Sequence, residues 1–442
     1  MSEIKLSDHF SISGLLRFTF PTMMMMVFYN TYLCVDGLFI SNFVGSTAYA
    51  AVNIVGNYVL LFPVIGTMLG SGGAALISKT LGEKKGELAS DQFSTVTWTS
   101  IALAVILTTI GVLTVVPAAR MQGARGELLE YCRSYGLIVT FTIGTYVVQS
   151  EFQYFFAVVE KEALGFVSAL IAGFINISLD ALFILVFGWG LRGAAIASLL
   201  GSIFAGVFPI AYFLTHRDLA VRLKKPGFDP GTLLRACTNG LSEMVVNVSL
   251  ALVGILFNVQ LMRYAGEDGV AAYGVIQAIT AVFLAVFAGY SAGVIPVIGY
   301  HFGDRNKPEL ISLLRKSLVI LTVTGVIMFV ISEALAKVFA GIFVGYDREL
   351  LETSVRGLRI YGTVFLVTGC NVFGSAFFTG LNDGLNSAVI SVSRTMVLLV
   401  ACVLLLPLVW GLDGIWISTA VAEALSLIVT FIIFLKNKIK WA

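Results

Sequence analysis

Hydrophobic positions run along this chain in long unbroken blocks, not in the two-residue alternation of a half-buried strand or the narrow stripe of a surface helix. About 20 apolar residues span the hydrocarbon of a bilayer, and twelve segments approach or exceed that length. Their cores are 15–40, 48–77, 93–116, 134–158, 163–187 and 193–214, then 233–262, 270–300, 310–339, 358–381, 387–410 and 414–435. Each must be helical, because lipid satisfies no backbone donor or acceptor. The pattern therefore predicts an all-α integral membrane protein of twelve transmembrane helices. The longest polar break, 216–232, contains Pro226, Gly227, Pro230 and Gly231 and falls at the midpoint. It reads as a linker between a first lobe, 1–215, and a second lobe, 233–442.

The two halves repeat one another. An offset of about 221 residues brings Ala50-Ala51 onto Ala271-Ala272, Gly72 onto Gly293 and Gly82-Glu83 onto Gly303-Asp304. Glu127-Leu128-Leu129-Glu130 meets Glu349-Leu350-Leu351-Glu352 after one added residue, and Trp189-Gly190-Leu191 meets Trp410-Gly411-Leu412. Six spans per copy give both copies the same orientation, related by an axis along the membrane normal, so cargo is expected between pseudo-symmetric lobes. Gly66 and Gly70 form a GxxxG in the second span and Gly289 and Gly293 another in the eighth, shifted by two positions from the repeat.

Of the 442 residues 58% are hydrophobic and 12% charged, about half the charge of a soluble domain. Lys and Arg number 28 against 26 Asp and Glu, so no basic surplus points to nucleic acid. The basic residues sort by position. Lys79, Lys84, Lys85, Lys161, Arg222, Lys224, Lys225, Arg305, Lys307 and Lys436 fall on one side, against Arg120, Arg125, Arg192, Arg263 and Arg348 on the other. Basic loops stay inside, which puts both termini in the cytoplasm of a cell with this protein in its plasma membrane. No small-residue cleavage site follows the first span, so that span is expected to stay in the mature protein. The five cysteines lack metal or redox spacing and read as small buried hydrophobes.

Acids inside the spans are the candidate chemistry, since a carboxylate at membrane depth faces protein or water and serves cation or proton traffic. Asp36 shares a helical face with Tyr29 and Tyr32, and Asn176 lies one turn from Asp180. Such oxygens suit Na+, and the acids alone suit a proton. The second half has Phe257 where the first has Asp36, and Ala401 or Cys402 where it has Asp180, so the site belongs to the first lobe. Glu243 is the best acid of the second lobe. Glu423 has no partner evident in sequence, and Glu151 and Glu333 read as solvated acids near span ends. The run Met23 to Met26 beside Pro21 offers gap-filling or an adaptable wall for apolar ligands. His9, His216 and His301 read as terminal or loop residues, and no nucleophile motif or metal spacing supports an enzyme. A channel would want a pore-lining repeat in several subunits and ranks equally low.

At this point the residues carry a likeness. The stretch NTYLCVDGLFISNFV at 30–44 followed by AYAAVNI, the run Asn176-Ile177-Ser178-Leu179-Asp180 followed by WGLRGAAIA, and the loops Leu81-Gly82-Glu83-Lys84 and Phe302-Gly303-Asp304-Arg305 resemble the multidrug and toxic compound extrusion (MATE) transporters. The resemblance implies an antiporter, coupled to H+ or Na+, that exports organic, mostly cationic or amphipathic compounds by alternating access. It implies a cation site at Asp36, Asn176, Asp180 and Ser198; the family's fourth-span amide and second-lobe acid are not matched in place, and Tyr32, Gln149, Ser150, Gln153 and Glu243 are read from this sequence as further candidate cation or substrate contacts. It implies no cofactor beyond the coupling ion, and a monomer in the bilayer. A flippase for lipid-linked sugars or metabolites of the same superfamily is the alternative. The major facilitator fold is disfavoured because the second-to-third loop reads LGEKKGE.

Overall fold

The computed structural model of the chain describes residues 4–44, 46–216, 218–225, 227–345 and 347–441, and within them all side chains except those of 33–39, 41, 42, 46, 251 and 439–441. The helices are α1 (Ile12–Phe43), α2 (Ser46–Val59), α3 (Pro63–Gly82), α4 (Gly86–Met121), α5 (Gly126–Val139), α6 (Thr142–Val158), α7 (Glu162–Asp180) and α8 (Gly190–Thr215) in the first half. The second half has α9 (Pro230–Gly303), α10 (Lys307–Val344), α11 (Arg348–Gly362), α12 (Phe365–Gly380), α13 (Gly384–Val392), α14 (Leu399–Leu405) and α15 (Pro407–Trp441). π-helical turns occupy Ala181–Val186 and Ser393–Leu398.

Twelve passes emerge once the breaks are read. α9 bends at Gly266, where φ is +63°, and so supplies two passes; α11 and α12 form one pass bent by 49°. Pro63 opens α3 just after α2 ends, because proline suits a first helical turn and continues none. The fourth pass corrects the sequence boundary: it starts at Gly126 and carries Arg133 inside α5 before the break at Thr140.

The repeat is written into the backbone. Among non-glycine residues, Lys84 (φ 61°) and Arg305 (57°) take the left-handed conformation at equivalent loops, and so do Glu160 (61°) and Asn382 (56°). Gly190 (54°) and Gly411 (56°) form a third such pair. These pairs fix the register at offsets of 221, 222 and 221 residues.

The halves meet along a glycine seam. A side chain at Gly72 would strike the Ala236 carbonyl, and one at Gly240 the Met68 carbonyl, closing α3 on the first pass of α9. Gly289 and Gly293 take Met23 and Thr19 of α1, while Gly82 and Gly303 take the Tyr300 and Lys79 carbonyls. Backbone approach of this kind replaces the hydrophobic drive that helices lack in lipid. All these contacts lie in the half of the fold nearest the linker. Gly66 and Gly70 instead pack on Val147 and Glu151 of α6, within one half. The two-position shift between the GxxxG pairs thus separates a fixed contact from one between halves.

The linker is bound to the first half. Trp98 Nε1 donates to the Lys224 carbonyl (2.9 Å), Ser94 Oγ accepts from Lys224 N (2.8 Å) and Ser90 Oγ from Arg222 N (3.2 Å). Lys224 Nζ reaches Asp91 (2.7 Å) and Glu87 (2.8 Å); those bonds hold its ammonium above the usual lysine range, Asp91 contributing most. Asp229 then caps α9, accepting from Gly231 N (3.0 Å) and Thr232 Oγ1 (2.6 Å). The Thr232 bond is the main cause of its lowered carboxyl pKa.

Candidate functional site in the first half

α1, α6, α7 and α8 line a narrow cleft that opens to solvent. Small residues create it. Gly173 lets the Phe28 ring of α1 close on α7, and a Cβ at Gly201 would stand 3.0 Å from the Ala172 carbonyl, so α7 and α8 touch along this line. That approach sets Asn176 Nδ2 3.3 Å from Ser198 Oγ, one turn before Gly201. Asn176 is 4% exposed and its Oδ1 is buried without a hydrogen-bond partner among the described residues, which leaves an acceptor available to whatever enters.

The walls are aromatic and neutral. Tyr29 and Tyr32 meet edge to face at 5.5 Å, and Phe28 stacks on Tyr32 at 6.1 Å. Gln149 and Gln153 face them from α6, and Gln153 Nε2 lies 3.2 Å from Met26 Sδ. Ring faces carry negative charge and attract organic cations, with about 0.5–2 kcal/mol for each well-placed contact. Met25 joins this wall, whereas Met23 packs on the second half. The methionine run therefore divides between cavity and seam.

Of the residues expected from sequence, the structure brings Tyr32, Gln149, Gln153, Asn176 and Ser198 to one cavity. Asp180 is fully buried as the last residue of α7, one turn beyond Asn176, and opens the π-helical turn Ala181–Val186. Such turns recur at functional sites because they re-aim the side chains around them. Asp36 lies outside the residues whose side chains are described. Ser150 does not line the cavity, and Glu243 lies on α9 in the other half.

Two readings of the sequence need correction, and a third, Glu423 as a buried hydrogen-bonded acid, gains its partners. Glu151 is not solvated: α3 lies against it through Gly70, it is 0% exposed, and neither carboxyl oxygen has a hydrogen-bond partner among the described residues. His301 is no loop residue but the buried last turn of α9, against the Phe10 ring at 6.5 Å. Glu423 has partners that its sequence neighbours do not show. Arg394 Nη1 stands 3.3 Å from Glu423 Oε1, and Asn371 Nδ2 donates to Glu423 Oε2 at 2.7 Å. A lone arginine in the middle of the eleventh span, with an acid in the twelfth, was the available signal.

Comparison with known proteins decides the family. The MatE family model matches residues 21–182 and again 243–404. The chain belongs to the multidrug and toxic compound extrusion family. The double match reproduces the internal repeat at an offset of 222 residues. Multidrug export protein MepA of Staphylococcus aureus (strain MRSA252) is 21% identical over 423 residues, 95% of this chain and 92% of that one. The protein of the same name from Staphylococcus saprophyticus is 22% identical over 426 residues. The fold matches an outward-facing multidrug resistance MATE family transporter of the MOP superfamily, with a TM-score of 0.91 at 22% identity over 98% of this chain and 97% of that one. It also matches a MOP superfamily transporter from Pyrococcus furiosus, described by a reversed polarity of its binding pocket, with a TM-score of 0.89 at 20% identity over 100% and 98%. This MATE protein is a multi-pass membrane transporter of a multidrug-efflux family, not an enzyme.

Proposed function

We propose that this MATE protein exports organic cationic and amphipathic compounds in exchange for H+ or Na+. The observation that carries the reading is the cavity itself, where aromatic rings and neutral amides surround the unpartnered Asn176 carbonyl oxygen next to buried Asp180. Rings and amide oxygens hold a cation without a fixed counter-charge, which permits release. Asp36, Asn176, Asp180 and Ser198 form the coupling site, with Tyr32, Gln149 and Gln153 as substrate contacts. Cation entry neutralises the buried acids and favours the lobe arrangement that releases cargo, and such coupling needs only different preferences of ion and cargo for the two states. Residues 1–215 and 233–442 act as the two lobes about the 216–232 linker. With both termini cytoplasmic in a bacterial or archaeal plasma membrane, the glycine seam closes the inner side.

The test is efflux of a fluorescent organic cation from liposomes under an imposed Na+ gradient and, separately, an imposed pH gradient. Export under one gradient that is lost in Asp180→Asn and Asp36→Asn supports the reading. Full gradient-driven export in those variants, or none in the native protein under either gradient, overturns it.

A further inference from the structure

The second half holds a counterpart of the cavity, and it is charged. The left-handed pair Glu160 and Asn382 sets an offset of 222 across the fourth and fifth passes of each half, and Gly190 with Gly411 sets 221 across the sixth. On the first offset Asn371 stands where the first half has Gln149, and Arg394 where it has Ala172. On the second, Glu423 stands where it has Ser202. Gln149, Ala172 and Ser202 all line the cavity. Asn371 and Arg394 both bond Glu423, and the three are 0%, 8% and 6% exposed respectively. The same fold thus builds a neutral, aromatic-lined cleft in one half and places a guanidinium and its partners at the equivalent positions in the other.

That guanidinium is only partly used. Nη1 meets Glu423, Asn371 supports the same carboxylate, and Thr430 Oγ1 donates to Asn371 Oδ1 at 3.1 Å. Nε of Arg394 is buried without a partner, and among the described residues no hydrogen bond involves Nη2. Nε and Nη2 make the edge of the fork that accepts two oxygens side by side, the geometry of a carboxylate. A buried donor such as Nε with no acceptor is costly, and a ligand that brought one would remove that cost. Arg394 also sits on the π-helical turn Ser393–Leu398, as Asp180 adjoins the one in the first half. Glu243 of α9 is within electrostatic reach of Arg394.

We infer that Arg394 is the anchor of a second cargo subsite, which takes the carboxylate of zwitterionic compounds on its free edge. This rests on the export function proposed above and extends it: a zwitterion places its cationic end in the first-half cavity and its carboxylate on Arg394. The experiment compares efflux from liposomes of two matched dyes, one a fluorescent organic cation and the other the same fluorophore bearing an added carboxylate. The expected result for Arg394→Lys and for the double variant Arg394→Met/Glu423→Gln is a loss of zwitterion export of at least tenfold, with cation export within twofold of native. The double variant removes both charges, so no buried carboxylate is left unpaired. Equal loss of both dyes in a variant whose melting temperature is native, or no loss of either, overturns the proposal. Failure of the native protein to export the cation refutes the export reading itself, whereas native cation export without any zwitterion export refutes only the subsite.

Discussion

Substituting Gly72 by alanine tests whether the glycine seam is a contact that opens. A methyl group there is driven into the Ala236 carbonyl of α9, so α3 and α9 must part by about 1.5 Å to restore van der Waals contact. Overpacking of this size costs about 1–3 kcal/mol. The cost exists only while the seam is closed, so the balance shifts toward separated halves by about 5- to 150-fold. Gly66→Ala is the control: its methyl strikes the Val147 carbonyl with similar severity, but inside one half, where the strain is present in both states. Spin labels at Leu88 of α4 and Leu234 of α9, 46% and 67% exposed, report the separation by electron–electron resonance in lipid nanodiscs, with the native cysteines replaced. Gly72→Ala is expected to enlarge the long-distance population, and Gly66→Ala to lower the melting temperature without changing it. Identical distance distributions in the two variants would refute the division of glycines into moving and fixed.

Glu151→Met is expected to raise the melting temperature, because it removes a buried carboxyl with no well-formed hydrogen bond among the described residues, whose burial costs about 1–3 kcal/mol; a lower melting temperature would show that the carboxyl is engaged. Arg394→Met alone strands the buried Glu423 and is expected to cost about 3–5 kcal/mol, most of it recovered in Arg394→Met/Glu423→Leu, as thermal unfolding in detergent would show. The lowered pKa of Asp229 makes its helix cap worth most above the ordinary carboxylate value near 3.8, and that stability is lost as pH falls through the lower folded value. Melting temperature against pH should therefore drop less steeply below pH 4 in Asp229→Ala, and an unchanged slope would assign the acid sensitivity elsewhere.

Much of the architecture was legible because hydropathy and repetition survive in one dimension. Twelve passes and two copies followed from block length and offset alone. Breaks within passes were harder to read: Leu60, Leu61 and Phe62 keep the hydropathy high across the α2–α3 joint, so only Pro63 marked it. In the candidate site, Asn176 and Asp180 were readable from one-turn spacing, and five expected residues share a cavity. Depth was not readable for Glu151, whose burial depends on Gly70 lying against it from another helix. Likewise the Arg394–Glu423 pair joins residues 29 positions apart on different passes, and no periodicity within one helix reports such a pairing.

Because Ser90, Ser94 and Trp98 hold the linker as far as Lys224, only a short length of chain lies between that anchor and the start of α9 at Pro230. Six peptide steps of about 3.5 Å reach roughly 20 Å at full stretch. The connection behaves as a short strap. Any excursion of the second half that carries the foot of α9 farther than this from Ser94 must first break the Ser94 and Trp98 bonds to the Lys224 backbone, so these two side chains set the length of the tether.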